Sequence, residues 1–158
     1  MAYHILKHIA GMSRMASAYF TERMARFDLG AGQQFFMHRI AKYPGVSMAE
    51  LARMGFYDNC TVTRAVKRLA DGGYVRIEPD ARDGRIKRLY ATDAAEELLR
   101  EIHLMRQDWY SIATDGFTEE EKQQLGELLS RMADTACAHL EKGCQAEEGE
   151  EQGNEKTA

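Results

Sequence analysis

The chain has 158 residues, of which 44% are hydrophobic and 29% charged, a size and balance typical of one soluble globular domain with a real core. Its apolar runs are too short for a membrane-spanning helix, and its first residues lack the pattern of a secretory signal. We therefore expect a cytoplasmic protein with no membrane partner.

The net charge of −4 at pH 7 hides an uneven distribution. Residues 141–158 contain six acidic and two basic residues, whereas residues 53–91 contain nine basic and five acidic ones. The middle of the chain is therefore basic, which is the charge pattern of a nucleic-acid-binding surface. The three cysteines, Cys60, Cys137 and Cys144, are odd in number and scattered, so we predict reduced thiols.

The first predicted element is an amphipathic helix over residues 4–24. Its apolar residues recur every three or four positions: Ile5, Ile9, Met12, Ala16 and Tyr19. Gly30 and Gly32 interrupt this pattern, and a second helix is predicted over residues 33–42, ahead of Pro44-Gly45. A third, short helix is predicted over residues 47–54, because Ser47 and Glu50 form a capping-box pattern and Gly55 follows.

A fourth helix begins at a cap, Asp58 or Asn59, and runs to about Asp71, where Gly72-Gly73 ends it. Its core-facing residues lie three or four apart: Val62, Ala65, Val66 and Leu69. The polar residues form an outer arc that we predict to contact DNA: Asn59, Thr61, Thr63, Arg64, Lys67 and Arg68. The second helix of a helix-turn-helix enters the major groove, where Thr and Asn allow close approach and Arg binds guanine or phosphate. An ordinary solvated helix face is the alternative.

The period then changes from helical to strand-like. Residues 74–78 and 85–91 are rich in Val, Ile, Leu and Tyr, and turn-forming residues 79–84 separate them. This predicts a two-stranded β-hairpin, or wing, whose charged residues contact DNA: Arg82, Asp83, Arg85 and Lys87. A basic tip can reach the minor groove, and Asp83 orients an arginine or shapes the turn. A charged edge that prevents sheet aggregation is the alternative.

Two long helices complete the order. The first is capped by Thr92 or Asp93 and has an apolar stripe: Ala95, Leu98, Ile102, Met105, Trp109 and Ile112. The second opens with a capping box at Thr118 and Glu121 and has another stripe: Leu125, Leu129, Met132 and Ala136. From about Gly143 the chain is rich in Glu, Gly and Gln, so we predict that residues 143–158 form a disordered acidic tail.

The fourth helix and the hairpin resemble the multiple antibiotic resistance regulator (MarR) family. The resemblance lies in residues 61–69, residues 73–75 and residues 83–85, and it extends over roughly residues 4–141. It implies a triangular helical homodimer that represses by occupying a palindromic promoter site and is released by a small ligand or an oxidant. Asp83 and Arg85 match the family's Asp-x-Arg wing motif, but Gly84 stands where members commonly carry another Arg.

The predicted fold class is therefore mainly α (α+β): a winged helix-turn-helix with a two-stranded wing, flanked by N- and C-terminal helices. The apolar stripes of the terminal helices have no partner within a small winged module, so we expect a second copy to bury them. This assigns residues 1–30 and 115–142 to dimerisation and residues 31–114 to a DNA-binding module that includes a long connecting helix. Packing of the two stripes on each other within one chain is the alternative.

The resemblance implies an effector site in the crevice between the winged module and the dimerisation helices. Candidate lining residues come from three helices: His8, Met12, Met15, Phe36, His38, Tyr43, His103 and Trp109. Such aromatic walls with a few polar groups suit a small aromatic or phenolic compound, although ordinary core and surface residues are the alternative. Oxidation of Cys60 is a second hypothesis for how the regulator is released from DNA. We predict no cofactor and no metal, because Glu22, His38, Glu101 and His103 are too scattered to form a zinc site.

Two other classes of function compete with a DNA-binding regulator. A winged helix can act as a protein–protein interaction module without independent DNA readout, and salt-sensitive DNA binding would distinguish the two functions. An enzyme is not expected, because the chain has no nucleophile-elbow, phosphate-loop or metal-site motif.

Overall fold

A computed structural model of the chain describes residues 2–154, with the side chains of residues 4–140. The α-helices within this range are α1 (Ala2–Met24), α2 (Ala31–Lys42), α3 (Met48–Gly55), α4 (Asn59–Asp71), α5 (Glu96–Ala113) and α6 (Glu119–Asn154). The strands are β1 (Val46–Ser47), β2 (Val75–Pro79) and β3 (Lys87–Ala91), and short 3-10 helices span Ala25–Phe27 and Asp93–Ala95. The chain divides into two compact units, Met1–Ala113 and Thr114–Ala158. This order of elements is the predicted winged helix-turn-helix.

The sheet is antiparallel and has the order β1-β3-β2. β2 and β3 pair from Val75 opposite Ala91 to Pro79 opposite Lys87, which forms the predicted wing. β1 adds a third strand that the sequence analysis missed, with Val46 opposite Leu89. Two residues are too short to show an alternating pattern, so this strand is defined only by its pairing with β3.

Side-chain caps fix both helices of the helix-turn-helix. The predicted capping box of α3 is confirmed: Glu50 N donates to Ser47 Oγ at 3.3 Å, and Ser47 N donates to Glu50 Oε2 at 2.8 Å. Of the two candidate caps for α4, the structure has Asp58, whose Oδ1 accepts a hydrogen bond from Thr61 N at 2.8 Å. These bonds satisfy backbone donors that the first helical turn leaves free.

The end of α3 differs from the prediction in one detail. Gly55 is the last helical residue, and the left-handed conformation after the helix falls on Phe56, with φ of 56°. Space at Gly55 is limited for another reason: a Cβ there would lie 2.6 Å from the Tyr57 ring and 2.7 Å from the Phe35 ring. Close packing of the turn, rather than backbone freedom, explains the glycine.

The core of the first unit lies between the helices and the sheet. The predicted inner face of α4 is confirmed, because Val62, Ala65, Val66 and Leu69 are all buried. Leu98, Ile102 and Met105 of α5 are also fully buried, whereas Ile112, predicted to share their stripe, is exposed. α1 packs on α2 and α5, and the buried Glu101 accepts hydrogen bonds from Arg23 Nε at 2.6 Å and Arg26 Nη2 at 2.7 Å. A carboxylate shared by two arginines thus links α1 and the 3-10 helix that follows it to α5.

α6 forms the second unit. Its predicted capping box is present, with Thr118 N donating to Glu121 Oε2 at 2.8 Å. Its backbone continues to Asn154, whereas the sequence predicts disorder from about Gly143. Glu and Gln, which are frequent there, favour helix even where no apolar period exists. Side chains after residue 140, and residues 155–158 altogether, lie outside the described residues. None of the helices described is long and apolar enough to cross a membrane.

Candidate nucleic-acid interface

The outer face of α4 carries the predicted arc of polar side chains. Asn59, Thr63, Arg64 and Lys67 are exposed, and Thr61 is half-buried beside the cap. They point outward because the four apolar residues of α4 pack into the core and fix the rotation of the helix.

Two basic residues in this arc have no polar partner within the described residues. In the part of the chain that the structure describes, Arg64 and Lys67 form no hydrogen bond and no ion pair. The threonine hydroxyls, in contrast, donate within the helix: Thr61 Oγ1 to Asp58 Oδ2 at 2.7 Å, and Thr63 Oγ1 to the Asn59 carbonyl oxygen at 2.8 Å. The two basic groups are therefore available to an external acceptor, and the hydroxyl oxygens keep lone pairs that can accept.

Arg68 differs from its neighbours on α4. Its Nη2 and Nε donate to the backbone oxygen of Asp28 at 2.7 and 3.2 Å, and Nη2 lies 3.3 Å from Asp28 Oδ1. The guanidinium thus ties α4 to the turn before α2. Of the three basic residues predicted on this helix, only Arg68 has a partner within the described protein.

Hydrogen bonds between neighbouring residues shape the wing tip. Asp80 Oδ1 accepts hydrogen bonds from Arg82 N at 2.8 Å and Asp83 N at 3.1 Å. Asp83 Oδ1 accepts from both the backbone N and the Nε of Arg85, each at 3.1 Å. Asp83 thus both shapes the turn and orients an arginine, as predicted. The Arg85 side chain is 92% exposed.

Arg88 is a residue of this region that the sequence analysis did not select. Its Nε donates to Asp80 Oδ2 at 2.7 Å, and its Nη1 donates to the Gly45 backbone oxygen at 3.2 Å. This hydrogen bond from Arg88 is the main cause that lowers the pKa of the Asp80 carboxyl to about 2, and the N–H groups of Arg82 and Asp83 add to it. No sequence signal indicated this contact, because Gly45 is 43 residues away along the chain.

Comparison with known proteins identifies the family. The MarR family profile matches residues 36–86, from within α2 to the residue before β3. The uncharacterized HTH-type transcriptional regulator YybA of Bacillus subtilis (strain 168) is 30% identical over 128 residues, which cover 81% of this chain and 85% of that protein. The chain belongs to the MarR family. It is a MarR-family transcriptional regulator, and the resemblance predicted from the fourth helix and the wing is confirmed.

Solved MarR-family structures have the same fold. A MarR protein from Peptoclostridium difficile DA00132 is 31% identical and superimposes with a TM-score of 0.83, covering 87% of this chain and 90% of that one. A Listeria monocytogenes MarR-family regulator crystallised with a 26mer DNA is 23% identical, with a TM-score of 0.81 and coverage of 87% and 94%. The predicted mainly α winged fold is thus confirmed.

The candidate effector residues of this MarR-family chain lie in different environments. Phe36 is a core residue, 1% exposed, and the cavity it borders, of about 530 Å³, lies between α2 and α4 rather than in the predicted crevice. Trp109 packs its ring against Tyr19 and Phe20, at centroid distances of 5.6 and 6.1 Å. The remaining candidates are exposed or half-buried on α1, α2, α5 and the turn after α2: His8, Met12, Met15, His38, Tyr43 and His103.

A group of basic side chains lies along the contact between α2 and α5. Arg106 Nη1 donates to Gln34 Oε1 at 3.0 Å, and burial together with nearby Arg39 lowers the pKa of Arg106. Burial is also the main cause that lowers the pKa of His38, followed by the charges of Arg106 and Arg39. Arg39 Nε is buried with no hydrogen-bond partner in the described structure. His38, Arg39 and Arg106 together form a basic seam between α2 and α5.

Proposed function

We propose that the chain is a sequence-specific DNA-binding repressor that occupies a palindromic promoter site as a homodimer. This proposal rests on two basic side chains of α4 that have no polar partner within the described residues, Arg64 and Lys67, together with the exposed Arg85 on the wing. In a winged helix-turn-helix these positions face the major groove and the flanking minor groove.

The predicted contact residues then divide by chemistry. The first turns of α4 approach base edges through Asn59, Thr61, Thr63 and Arg64. Lys67, Arg68 and Lys87 neutralise phosphates, and Arg68 must exchange its bond to Asp28 for that contact. Arg82 and Arg85 reach the minor groove, with Asp83 holding Arg85. A Listeria monocytogenes protein with the same fold was crystallised with a 26mer DNA, which supports duplex DNA as the partner.

The exposed apolar stripes of the terminal helices support a homodimer. Ile5, Ile9 and Met12 of α1 remain exposed in the single chain, as do Leu125 and Leu129 of α6. Residues 1–30 and 115–142 form the dimerisation region in this proposal, and residues 31–114 form the DNA-binding module. A C2 dimer presents two copies of α4, which matches a palindromic site.

The repressor is released when an effector binds. The basic seam between α2 and α5 supplies polar groups that suit a small phenolic or aromatic compound. An oxidant acting on Cys60 is the second route, because this exposed thiol lies in the first turn of α4, beside the DNA-contact residues.

The proposal is tested by selecting binding sites from a random duplex library and titrating the selected site by fluorescence anisotropy at several salt concentrations. We expect an inverted repeat with half-site centres about 10 base pairs apart and an affinity that falls steeply with salt. Arg85→Ala is expected to weaken binding on the order of ten- to a hundredfold. Arg100→Ala, which removes an exposed arginine from α5, is the matched control and is expected to change little.

One outcome of the selection would contradict the proposal. If no sequence is enriched and binding stays weak at low salt, the winged module does not read DNA unaided. The protein-interaction function then replaces the proposal.

A further inference from the structure

Arg88 lies where the wing meets the helix-turn-helix. It belongs to β3, the central strand, and pairs with Ser47 of β1 on one side and Glu78 of β2 on the other. Its guanidinium contacts Asp80 at the base of the wing tip and the Gly45 backbone oxygen before β1. Nη1 also lies 3.5 Å from Glu50 Oε2, in the first turn of α3. One side chain therefore joins the wing, the turn after α2 and the start of α3.

Asp80 transmits this contact to the tip. While its Oδ2 accepts from Arg88, its Oδ1 accepts from the backbone N–H groups of Arg82 and Asp83. Asp80 N also donates to the Ile86 oxygen at 2.9 Å, which closes the turn. Asp83 then holds Arg85. A continuous series of hydrogen bonds thus leads from the helix-turn-helix to the exposed arginine of the wing.

The burial of these residues separates them from the DNA-contact residues. The side chains of Asp80 and Arg88 are 17% and 32% exposed, in contrast to 92% for Arg85. The charge of Arg88 is neutralised by a carboxylate at hydrogen-bond distance. Arg88 therefore adds to the basic count of the sequence without offering a free cation to a phosphate.

We propose that Asp80 and Arg88 are positioning residues, whose ion pair fixes the conformation of the wing tip and its orientation to α3 and α4. Arg85 and the side chains of α4 then engage the two grooves together. The physical basis is preorganisation, because a tip that is already ordered loses less conformational entropy on binding. The inference rests on the proposed function in DNA binding.

For Asp80→Asn, the change in charge and the proposed positioning role predict opposite changes in DNA affinity. Asp80→Asn removes a negative charge beside the DNA-contact residues, so electrostatics alone predicts tighter binding. The positioning role predicts weaker binding. Arg88→Gln removes the other partner, and the double variant tests whether the two residues act as a unit. The neighbouring wing pair of Arg76 and Glu78 supplies matched controls, Arg76→Gln and Glu78→Gln, with the same changes in charge.

The variants are compared with the wild type on the selected site, as full-length protein below the melting temperature, with circular dichroism to verify folding. We expect Asp80→Asn and Arg88→Gln each to weaken binding about tenfold, and the double variant to be no weaker than either. Glu78→Gln is expected to bind at least as tightly as wild type. Hydroxyl-radical footprints of both test variants should lose protection at the wing-contacted flanks and keep it at the half-sites.

The sign of the change for Asp80→Asn distinguishes positioning from direct phosphate contact. If Arg88 contacted a phosphate directly, Arg88→Gln would weaken binding but Asp80→Asn would bind at least as tightly as wild type, whereas the positioning role weakens both. If Asp80→Asn binds as tightly as wild type or tighter, or if Arg88→Gln keeps wild-type protection at the flanks, the proposal is wrong. If Asp80→Asn does not fold, the hydroxyl-radical footprint of Arg88→Gln tests the proposal by itself. Wild-type protein without salt-sensitive DNA binding would instead overturn the proposed function itself.

Discussion

Three arginines of the wing, close together in sequence, differ in what their side chains contact. Arg85 is held by Asp83 and is almost fully exposed, whereas Arg88 is largely covered and paired with Asp80. The Arg82 side chain has no hydrogen bond or ion pair within the described residues, although its backbone N–H binds Asp80. Arg82 and Arg85 therefore remain candidates for DNA contact, whereas the identical side chain of Arg88 is paired within the protein.

The Asp80 carboxyl makes the stability of this region depend on pH. Its pKa is lowered to about 2 in the folded protein, mainly by Arg88, whereas an unfolded aspartate has a pKa of about 3.9. A lowered pKa stabilises the folded state fully above the unfolded value, and this contribution is lost as the pH falls from about 4 to about 2. We expect wild type to melt above Asp80→Asn at pH 6, and the difference to close over that interval.

Melting temperatures measured by circular dichroism from pH 6 to pH 2 check this expectation. Asp71→Asn, at the exposed end of α4, controls for the loss of a carboxylate outside this network. A difference between wild type and Asp80→Asn that persists unchanged at pH 2 would show that the amide, rather than the lost charge, causes the destabilisation.

At the scale of elements, the turn between α3 and α4 is packed with aromatic rings. The Tyr57 ring lies 5.0 Å from the Phe36 ring and 5.4 Å from the Phe35 ring, measured between centroids. Gly55 lies against two of these rings, which leave no room for a β-carbon. The turn therefore sets the distance between the two helices through side-chain packing as well as through caps.

The direction in which Gly55→Ala changes the free energy of unfolding tests this packing. Helix propensity alone predicts that alanine in α3 stabilises the protein by about 1 kcal/mol. We expect the opposite, a loss of about 1–3 kcal/mol, because the new methyl group must displace the Tyr57 and Phe35 rings. Urea denaturation at a fixed protein concentration measures the difference.

Gly32→Ala is the matched control, because no atom lies within 4 Å of the β-carbon position in α2. It is expected to be neutral or stabilising. A gain in stability from Gly55→Ala would mean that the rings move aside at little cost.

At the scale of the whole molecule, the exposed stripe of α6 predicts how the protein assembles. Leu129 is 44% exposed in the single chain, and Leu125 and Met132 are exposed similarly on the same side of the helix. Leu129→Glu places a charge in this stripe, so we expect the dimer to dissociate and operator affinity to fall, since two half-sites are no longer bound together. Analytical ultracentrifugation and anisotropy measure the two effects.

Ser130→Glu introduces the same charge outside the stripe and should leave the dimer intact. A Leu129→Glu protein that remains dimeric would show that α6 does not form the interface through this stripe. The dimerisation region proposed for residues 115–142 would then be wrong.

The sequence by itself determined the order of the six helices and of the two wing strands, the caps of α3 and α6, the buried face of α4 and the family. Each of these depends on neighbours within about four positions or on a contiguous motif, such as Ser47 with Glu50. Patterns of this range are visible without any knowledge of how the chain folds back on itself.

Only the tertiary structure decided which polar residues are free and which are engaged. Arg68 is bound to Asp28, 40 residues away, and Arg88 contacts Gly45, 43 residues away. The strand β1 likewise exists only because Val46 meets Leu89. Nothing in the residues around these positions reports such pairings, because long-range contacts are selected by the packing of whole elements against each other. The sequence therefore predicted which surface binds DNA, and the fold determined which charges of that surface have no partner within the described residues.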